Sequence, residues 1–599
     1  MTIKRLLGSA PSQVSTNKNL GGMAFQDAAD VTQVNVQQTT NTTNEGPSLL
    51  LDFANSKTLD PRITFSRPTT ATYYNGVTTA LAEQNLLTYS TTFNATYWTA
   101  LNATNTLSQT DPNGGTTACL FTPTAQYGGL FIPTSALPVN GTTYTISFWA
   151  KAGTSTNTLQ VFANGPNVSY GSYTPTSTWT QYTFTFTPSG TAVSGFFIAQ
   201  DRNASGFGST FLAFPQLEQR ASATAYNATT TTALTNYIPA LQTAASGVAR
   251  FDCNPTTGES LGLLIEEQRI NLILQSAFAS GWTYTTATGT LASDIAPDGT
   301  QTAILLTEDT STGEHRVYQG PTTTAVATTA SVYAKANSRT WLSIRIQDSG
   351  GASRYAFFNL ANGTLGTVQT NLTATITSVG NGWYRCSASV STAFAGTNNI
   401  VFNLCSADAT YSYAGNGWGS VYLWGAQLEA GTFPTSYIST VASQVTRSQD
   451  YAYVGGNIVS ANNGTLYAKF SQIQNVIPSY AILGSGVGPW TSYFRNIGSN
   501  IWGWGDSTSD RYALPFIPSP TYQAAIAWNS STLTVTGTIN SVNPVVTGFS
   551  GSFSSSPTVN NLYLMCFGNS ANPIGNGWLK KVTYFPIALS SAELQEMTA

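Results

Sequence analysis

Residues 85–122 read NLLTYSTTFNATYWTALNATNTLSQTDPNGGTTACLFT, and residues 271–309 read NLILQSAFASGWTYTTATGTLASDIAPDGTQTAILLTED. The chain says one thing twice. YTISFWAKAG, from Tyr144 to Gly153, is answered by TASVYAKANS, from Thr329 to Ser338. The closing FLAFPQLEQRASATAY (Phe211 to Tyr226) is answered by VYLWGAQLEAGTFPTSY (Val421 to Tyr437). The offset between the copies grows from about 185 to about 210 residues, far above the ~20–50 residue period of a solenoid. A whole domain is therefore duplicated, with loops of different length in each copy.

The local pattern inside both copies is that of strands. Tyr144, Ile146 and Phe148 alternate with Thr145, Ser147 and Trp149; Leu342, Ile344 and Ile346 alternate with Trp341, Ser343 and Arg345. Period-two runs bounded by Gly, Pro, Asn and Ser are half-buried strands, and turn signals every ~8–12 residues make them sandwiches. Outward from the repeat, residues 1–47 form a polar leader in which Val31, Val34 and Val36 follow Phe25; it is expected to be an anchor that orders by docking into a larger assembly, with a disordered leader as the alternative. Residues 48–81 are a strand-and-turn connector, 82–225 the first jelly-roll module, 226–265 a second connector and 266–455 the second module. Residues 456–599 form a further sandwich that is not a copy, with Leu466, Ala468 and Phe470 alternating against Thr465, Tyr467 and Lys469. Ser590 and Glu593 make a capping box that opens a short terminal helix, the one helix expected. The expected class is all-β: tandem antiparallel jelly-roll sandwiches plus a C-terminal sandwich behind an extended N-terminal anchor.

Composition narrows the function. Charged residues are 8% of the 599, the net charge is −3 and aromatics reach 12%. Such a balance offers no basic footprint for nucleic acid and no polybasic membrane anchor. No run approaches the ~20 apolar residues of a membrane span. After Lys4 and Arg5 only Leu6 and Leu7 are apolar before Gly8, too short for the ~7–15 residue core of an export signal. The five cysteines, Cys119, Cys253, Cys386, Cys405 and Cys566, are odd in number and lack CxxC spacing. Buried free thiols are expected, with a Cys386–Cys405 bridge as the lesser alternative.

Catalytic chemistry finds little purchase. The single histidine, His315 in TGEHRVYQG, would have to serve any Ser-His-Asp set, and no nucleophile elbow accompanies it. It is expected to be an ordinary polar residue of a loop or strand edge. A glycosidase holds two carboxylates ~5–9.5 Å apart, whereas Glu266 and Glu267 are sequence neighbours that point to opposite faces of a strand. Glu83 and Glu267 precede Asn85 and Asn271 in matching positions, which favours a structural role. The expectation is a non-enzyme.

Three segments resemble modules of tailed-bacteriophage virion proteins: DPRITFSRPTTATYYNG (Asp60 to Gly76), ARFDCNPTTGESLGLLIEEQRINLILQS (Ala249 to Ser276) and KVTYFPIALSSAELQ (Lys581 to Gln595). The last is also similar to the ending of laminin-G/concanavalin-like lectin sandwiches. The repeated units, with a Trp-containing early strand and a final Gln216-Leu217-Glu218 or Gln427-Leu428-Glu429 strand, resemble carbohydrate-binding jelly rolls. LGGMAFQDAADV (Leu20 to Val31) resembles fibre leaders. The resemblance implies a virion appendage, made in the host cytoplasm and extracellular after lysis, which reconciles a hydroxyl-rich surface with the missing export signal. A tail fibre or receptor-binding protein is the first expectation, with a capsid-attached fibre or decoration protein as the alternative and a tailspike depolymerase as a further one. Its partners would be other virion proteins through residues 1–47, a host-surface glycan and two further copies of itself in a homotrimer.

The resemblance also directs attention to particular residues. Sugar recognition rests on flat aromatic faces, so Trp490, Trp502, Trp504 with neighbouring Asp506, and Trp418 in the GNGWG loop are candidate glycan-binding residues, filling of the sandwich core being the competing explanation for Trp490, Trp502 and Trp504. Trp282, Trp383 and Trp424 are expected inside the second module. No cofactor is expected, but such jelly rolls often hold a structural calcium. The cluster DPNGG and its counterpart APDGT occupy the same place in both copies, and Asp111 and Asp298 within them are the candidate ligands. Turn chemistry is the competing explanation for both.

Overall fold

The computed structural model describes residues 46–133, 139–164, 167–190, 193, 195–348, 350–393, 396–397, 400–456, 458–460, 463–472, 481–484, 492–497, 501–505, 510–515, 521–529, 531–532, 534–540, 545–548, 561–566 and 576–599. The leader, bar its last two residues, lies outside them. The fold is all-β, a tandem of antiparallel sandwiches. The terminal helix Ser591–Met597 forms with its capping box intact: Ser590 Oγ accepts from the Glu593 amide, and Glu593 accepts from the Ser590 amide. A second helix, Phe53–Ser56, was not expected; Asp52 caps it by accepting from the Asn55 amide.

The chain divides into two compact units. One comprises Thr79–Ile238 with Thr290–Leu305; the other takes the described residues up to Thr78, Pro239–Gly289 and Leu306–Ala599. In the first unit, one sheet runs Val168–Tyr173, Leu159–Asn164, Gly195–Asp201, Gly128–Pro133, Thr99–Leu101, and the facing sheet runs Thr180–Phe186, Tyr144–Ala152, Thr210–Glu218, Ala118–Pro123, Ala103–Gln109. Between them lie Trp98, Phe121, Ile132, Ile146, Phe148, Val161 and Phe196, all buried. The alternation of Tyr144, Ile146 and Phe148 is what turns that strand's apolar face inward.

The second copy, in the other unit, repeats this wiring with additions. Thr364–Val368, Ser353–Asn359, Trp341–Gln347, Ile400–Cys405, Arg316–Gln319 and Thr283–Thr285 form one sheet, in that order. The facing sheet contains the run Leu372–Gly380, Trp383–Val390, Thr328–Ala336, Ser420–Ala430. The consecutive strands Thr364–Val368 and Leu372–Gly380, one added to the edge of each sheet, have no counterpart among the described strands of the first copy. They explain the growing offset, which is 185 at Val168 against Ser353 and 203 at Thr180 against Trp383.

The QLE strands and the paired asparagines prove to be one internal lock, built twice. Asn85 Nδ2 donates to the carbonyls of Pro215 and Asn227, and its Oδ1 accepts from the amides of Leu87 and Leu217. Asn271 does the same with Ala426, Ile438, Ile273 and Leu428. Glu218 accepts from the Thr224 amide and hydroxyl, and Glu429 from those of Thr435. A buried amide with all four of its bonds made fixes the strand ends at little cost.

The C-terminal sandwich departs most from expectation. One of its sheets runs Phe251–Cys253, Ser260–Ile265, Gly577–Phe585, Asn463–Gln472, Tyr522–Asn529, Thr534–Ile539, Val545–Gly548, with Leu49–Asp52 also on Gly577–Phe585. The other begins Ile63–Ser66, Tyr451–Gly455, Asn561–Leu564. The stretches 48–81 and 226–265, expected as connectors, thus supply strands to this sandwich. Their Leu49, Leu51, Leu263 and Ile265 share its core with Leu466, Phe470, Trp528 and Tyr584. The first module is inserted in a hairpin: Ala71–Tyr73 pairs with Gln242–Ala244, and the Ala240 amide donates to the Thr78 carbonyl at 3.0 Å.

A buried charge network joins these same segments. Arg67 Nη1 meets Asp450 at 2.9 Å, while Arg250 bridges Asp450 and Glu266 at 2.5 and 2.8 Å, every side chain being essentially inaccessible. Arg67 also donates to the carbonyls of Thr69, Ala245 and Val248.

Candidate functional site

The loop Gly415–Gly419 is built to hold one ring outside the protein. Trp418 is 64% exposed, yet its backbone is fixed at several points. Its amide donates to Asn416 Oδ1, as does that of Gly419, and its carbonyl accepts from Ser338 Oγ at 3.0 Å. Beneath it, Glu308 is buried and accepts from Arg339 Nε and Nη2 at 2.9 and 2.6 Å, from the Tyr413 hydroxyl at 2.6 Å and from the Asn416 amide at 2.9 Å. Burial works against the Glu308 charge, but these donors outweigh it and hold the carboxyl below its ordinary range. Gly417 sits at φ +83°, a left-handed turn that glycine supplies without strain. The glycines around Trp418 are the only sequence signal; the bracing Glu308, at the end of the strand Ala303–Glu308, and Arg339, in the turn before Trp341–Gln347, are remote in sequence.

A second surface is the outer face of the sheet holding Trp341–Gln347. Leu342, Ile344 and Ile346 point into the core, so Trp341, Ser343 and Arg345 share the other face. There Tyr355, Phe357 and Cys405 form a separate apolar cluster with Trp341 and Tyr411 packed on it. Tyr411 stacks on Tyr355 at 4.3 Å and 17°. The corresponding face of the first module carries Phe131, Phe162 and Phe197, with ring centroids 5.0 and 6.5 Å apart along the row. Arg202 lies 4.6 Å over Phe162 and 5.0 Å over the exposed Tyr127.

The remaining sequence candidates fall differently. Trp490 and Asp506 lie outside the described residues. Trp502 and Trp504 stand two apart in the strand Ile501–Gly505, between Ser492–Ile497 and Asp510–Pro515. Trp282, Trp383 and Trp424 are buried as expected. All five cysteines are free and buried.

Asp111 accepts from the amides of Asn113, Gly115 and Thr117 and from the Thr117 hydroxyl; Asp298 accepts from the Thr300 amide and hydroxyl. Among the described residues no group of three or more His, Cys, Asp or Glu is placed to hold a metal ion. Calcium wants six to eight oxygens; both carboxylate oxygens of Asp111 are engaged within its own turn, whereas Asp298 uses only Oδ1. His315 sits between the strands Thr312–Glu314 and Arg316–Gln319 and is buried: Nδ1 donates to the Thr286 carbonyl at 2.6 Å and Nε2 lies 3.3 Å from the Tyr413 carbonyl. Glu266 is committed to Arg250, Glu267 to Arg269, and Glu83 accepts from Asn236.

Residues 71–205 match a family of carbohydrate binding domains (CBM_4_9). No curated protein sequence matches the chain. Among solved structures, the tandem CBM22-1–CBM22-2 domain of Paenibacillus barcinonensis Xyn10C is similar at 8% identity and TM-score 0.20, over 59% of this chain and 98% of that one. Domain 4 of the Geobacillus stearothermophilus arabinanase AbnA, in complex with arabinotriose, gives 14% and 0.21 over 28% and 82%. Trypanosoma rangeli sialidase in complex with the inhibitor DANA gives 9% and 0.21 over 84% and 94%. Scores this low carry no argument about activity. What stands is a β-sandwich of carbohydrate-binding type, matched by family in the first module and repeated in wiring by the second.

Proposed function

We propose that this chain is a non-catalytic structural protein of a tailed-bacteriophage virion, a tail fibre or receptor-binding appendage. Residues 1–47 anchor it among other virion proteins, and its sandwiches, the C-terminal one being lectin-like, hold host-surface glycans reversibly. The observation that carries the glycan part is Trp418, a largely exposed indole whose loop is braced by a buried carboxylate. A protein gains little stability by exposing a tryptophan and fixing its backbone; a ring held ready for stacking costs less to order on binding. The carbohydrate-binding match at residues 71–205 supports the same reading, and the segments at Asp60–Gly76 and Ala249–Ser276 support the virion context. Single sugar contacts are weak, so a homotrimer presenting several modules would gain avidity.

The test pairs a glycan microarray, probed with the full chain, with immunogold labelling of intact virions. Trp418→Ala is expected to weaken glycan binding about tenfold, the scale of losing one stacked ring, with the melting temperature unchanged. Gold at the tail is the expected result. Gold over the head would move the protein to the capsid, and gold on no particle would overturn the virion reading.

A further inference from the structure

The duplicated modules present the same sheet face with different chemistry. In the first, cross-strand rows read Gln160–Gln200–Gly129 and Phe162–Phe197–Phe131. In the second, the same rows read Ser343–Asn403–Arg316 and Arg345–Val401–Tyr318. The core-facing neighbours fix this correspondence, since Leu159, Val161 and Ala163 stand where Leu342, Ile344 and Ile346 stand. Duplication has thus put two arginines where the first copy has Phe162 and Gly129.

Those arginines are only partly satisfied by their surroundings: Arg345 reaches the Tyr355 hydroxyl and Arg316 the Glu314 carboxylate, and each keeps a donor unfilled. Arg345 Nε and Arg316 Nε are buried atoms without a hydrogen-bond partner among the described residues, and so is Oδ1 of the wholly buried Asn403. Asn403 Nδ2 donates to Ser343 Oγ at 3.1 Å. Arg316 has Glu314 at 2.5 Å, but no described carboxylate lies within ion-pair distance of the half-buried Arg345. Two unfilled donors beside one unfilled acceptor, with the rings of Trp341 and Tyr411 on the same face, ask for a particular complement. A neutral sugar can meet each of these atoms with a hydroxyl but brings no charge to Arg345, which has no carboxylate partner among the described residues; an inorganic anion brings the charge and sets its oxygens against that of Asn403. A sugar acid answers both, its carboxylate accepting from the arginine and a hydroxyl donating to Asn403.

We propose that this face of the second module binds an acidic saccharide, with Arg345 as the ligand of its carboxylate. The inference rests on the glycan-binding reading above and specifies which class of glycan one of its modules takes.

The decisive experiment probes the full chain with uronate- and sialate-bearing oligosaccharides, each beside its own carboxyl-reduced counterpart. Acidic members should bind about tenfold or more tighter than their reduced partners, as a charge-assisted pair at a partly buried site requires. Arg345→Gln should erase that difference between each acid and its reduced partner. If the substitution disturbs folding, the wild-type chain still decides. The preference should fall as ionic strength rises from about 0.05 to 0.5 M, because screening weakens the ion pair. Equal binding of acid and reduced partner would overturn this inference and leave the glycan reading standing. No binding of any saccharide, acidic or neutral, would overturn both.

Discussion

Asp252 lies in the strand Phe251–Cys253 and Glu266 just past the end of its neighbour Ser260–Ile265, and burial acts on both, with opposite outcomes. For Glu266 the desolvation cost is outweighed by Arg447, Arg250 and the Ser436 amide and hydroxyl, which bring its carboxyl down to about 2. Asp252 accepts only from the Tyr74 amide and Trp578 Nε1, each at 2.8 Å, so desolvation wins and its carboxyl rises to about 6. The signs then follow from linkage. A raised carboxyl takes up its proton more readily in the folded state, so its contribution is complete below ~3.9 and is lost as pH rises through 6. A lowered one contributes above ~4.3 and is lost as pH falls towards 2. Stability of this unit should therefore rise between pH 7 and 5, peak between about pH 4 and 5, and fall below that. Urea midpoints across that range measure it, and Asp252→Asn should flatten the slope between pH 5 and 7. A wild-type slope that survives the substitution would assign the effect elsewhere. Asp450 is the keystone of the same network, because Arg67 and Arg250 both spend a nitrogen on it. Asp450→Ala leaves two buried guanidiniums short of a partner and should cost about 3–5 kcal/mol in chemical denaturation.

At the scale of the element, the loop carrying Trp418 and the turns carrying Asp111 and Asp298 show what local sequence can and cannot disclose. GNGWG announces a loop, since glycines and an asparagine supply the left-handed turns, and an indole among glycines has little to bury against. The DPNGG and APDGT turns are equally legible, because Asp accepts from amides two to four residues on. Glu308 is different. It closes the end of a strand more than a hundred residues before Asn416, and its partners Arg339 and Tyr413 come from two further places in the chain, so no spacing announces the set. The arginines of the outer sheet face were visible only as one polar partner in an alternation, since period two assigns a face without saying what converges there. The brace should reveal itself on substitution. Glu308→Gln removes the charge that Arg339, Tyr413 and Asn416 share and should destabilise by about 1–3 kcal/mol. Hydrogen exchange at the Asn416 and Gly419 amides should quicken, while that of the Asn271 lock stays as it was. Unchanged exchange at Asn416 would mean that the loop holds itself.

For the whole molecule, the duplicated modules were legible because identity of pattern needs no knowledge of pairing, whereas the split sandwich was hidden. Its early strands, Leu49–Asp52 and Ile63–Ser66, are four residues each, too short for a period to declare itself, and their partners lie hundreds of residues away. A fragment of residues 456–599 would lack Leu49–Asp52, Ile63–Ser66, Phe251–Cys253, Ser260–Ile265 and Tyr451–Gly455. Its Leu466, Phe470 and Tyr584 would lose Leu49, Leu51, Leu263 and Ile265 from the shared core. Each lost leucine or isoleucine is worth about 2–5 kcal/mol, against a typical total of about 5–15 kcal/mol. That fragment should stay unfolded, with the random-coil far-ultraviolet spectrum of a chain that cannot close its sheets. Excision of Thr79–Ile238 should have the opposite outcome. The cut ends already meet, the Ala240 amide donating to the Thr78 carbonyl, and the flanking strands Ala71–Tyr73 and Gln242–Ala244 already form a hairpin. Joining Thr78 directly to Pro239 shortens the loop between them, which lowers its closure entropy, and leaves the Arg67–Asp450–Arg250–Glu266 network within one unit. The shortened chain should unfold in one cooperative transition and keep its Trp418-dependent glycan binding. If it proves unfolded, the first module is no mere insertion but part of what holds the rest together.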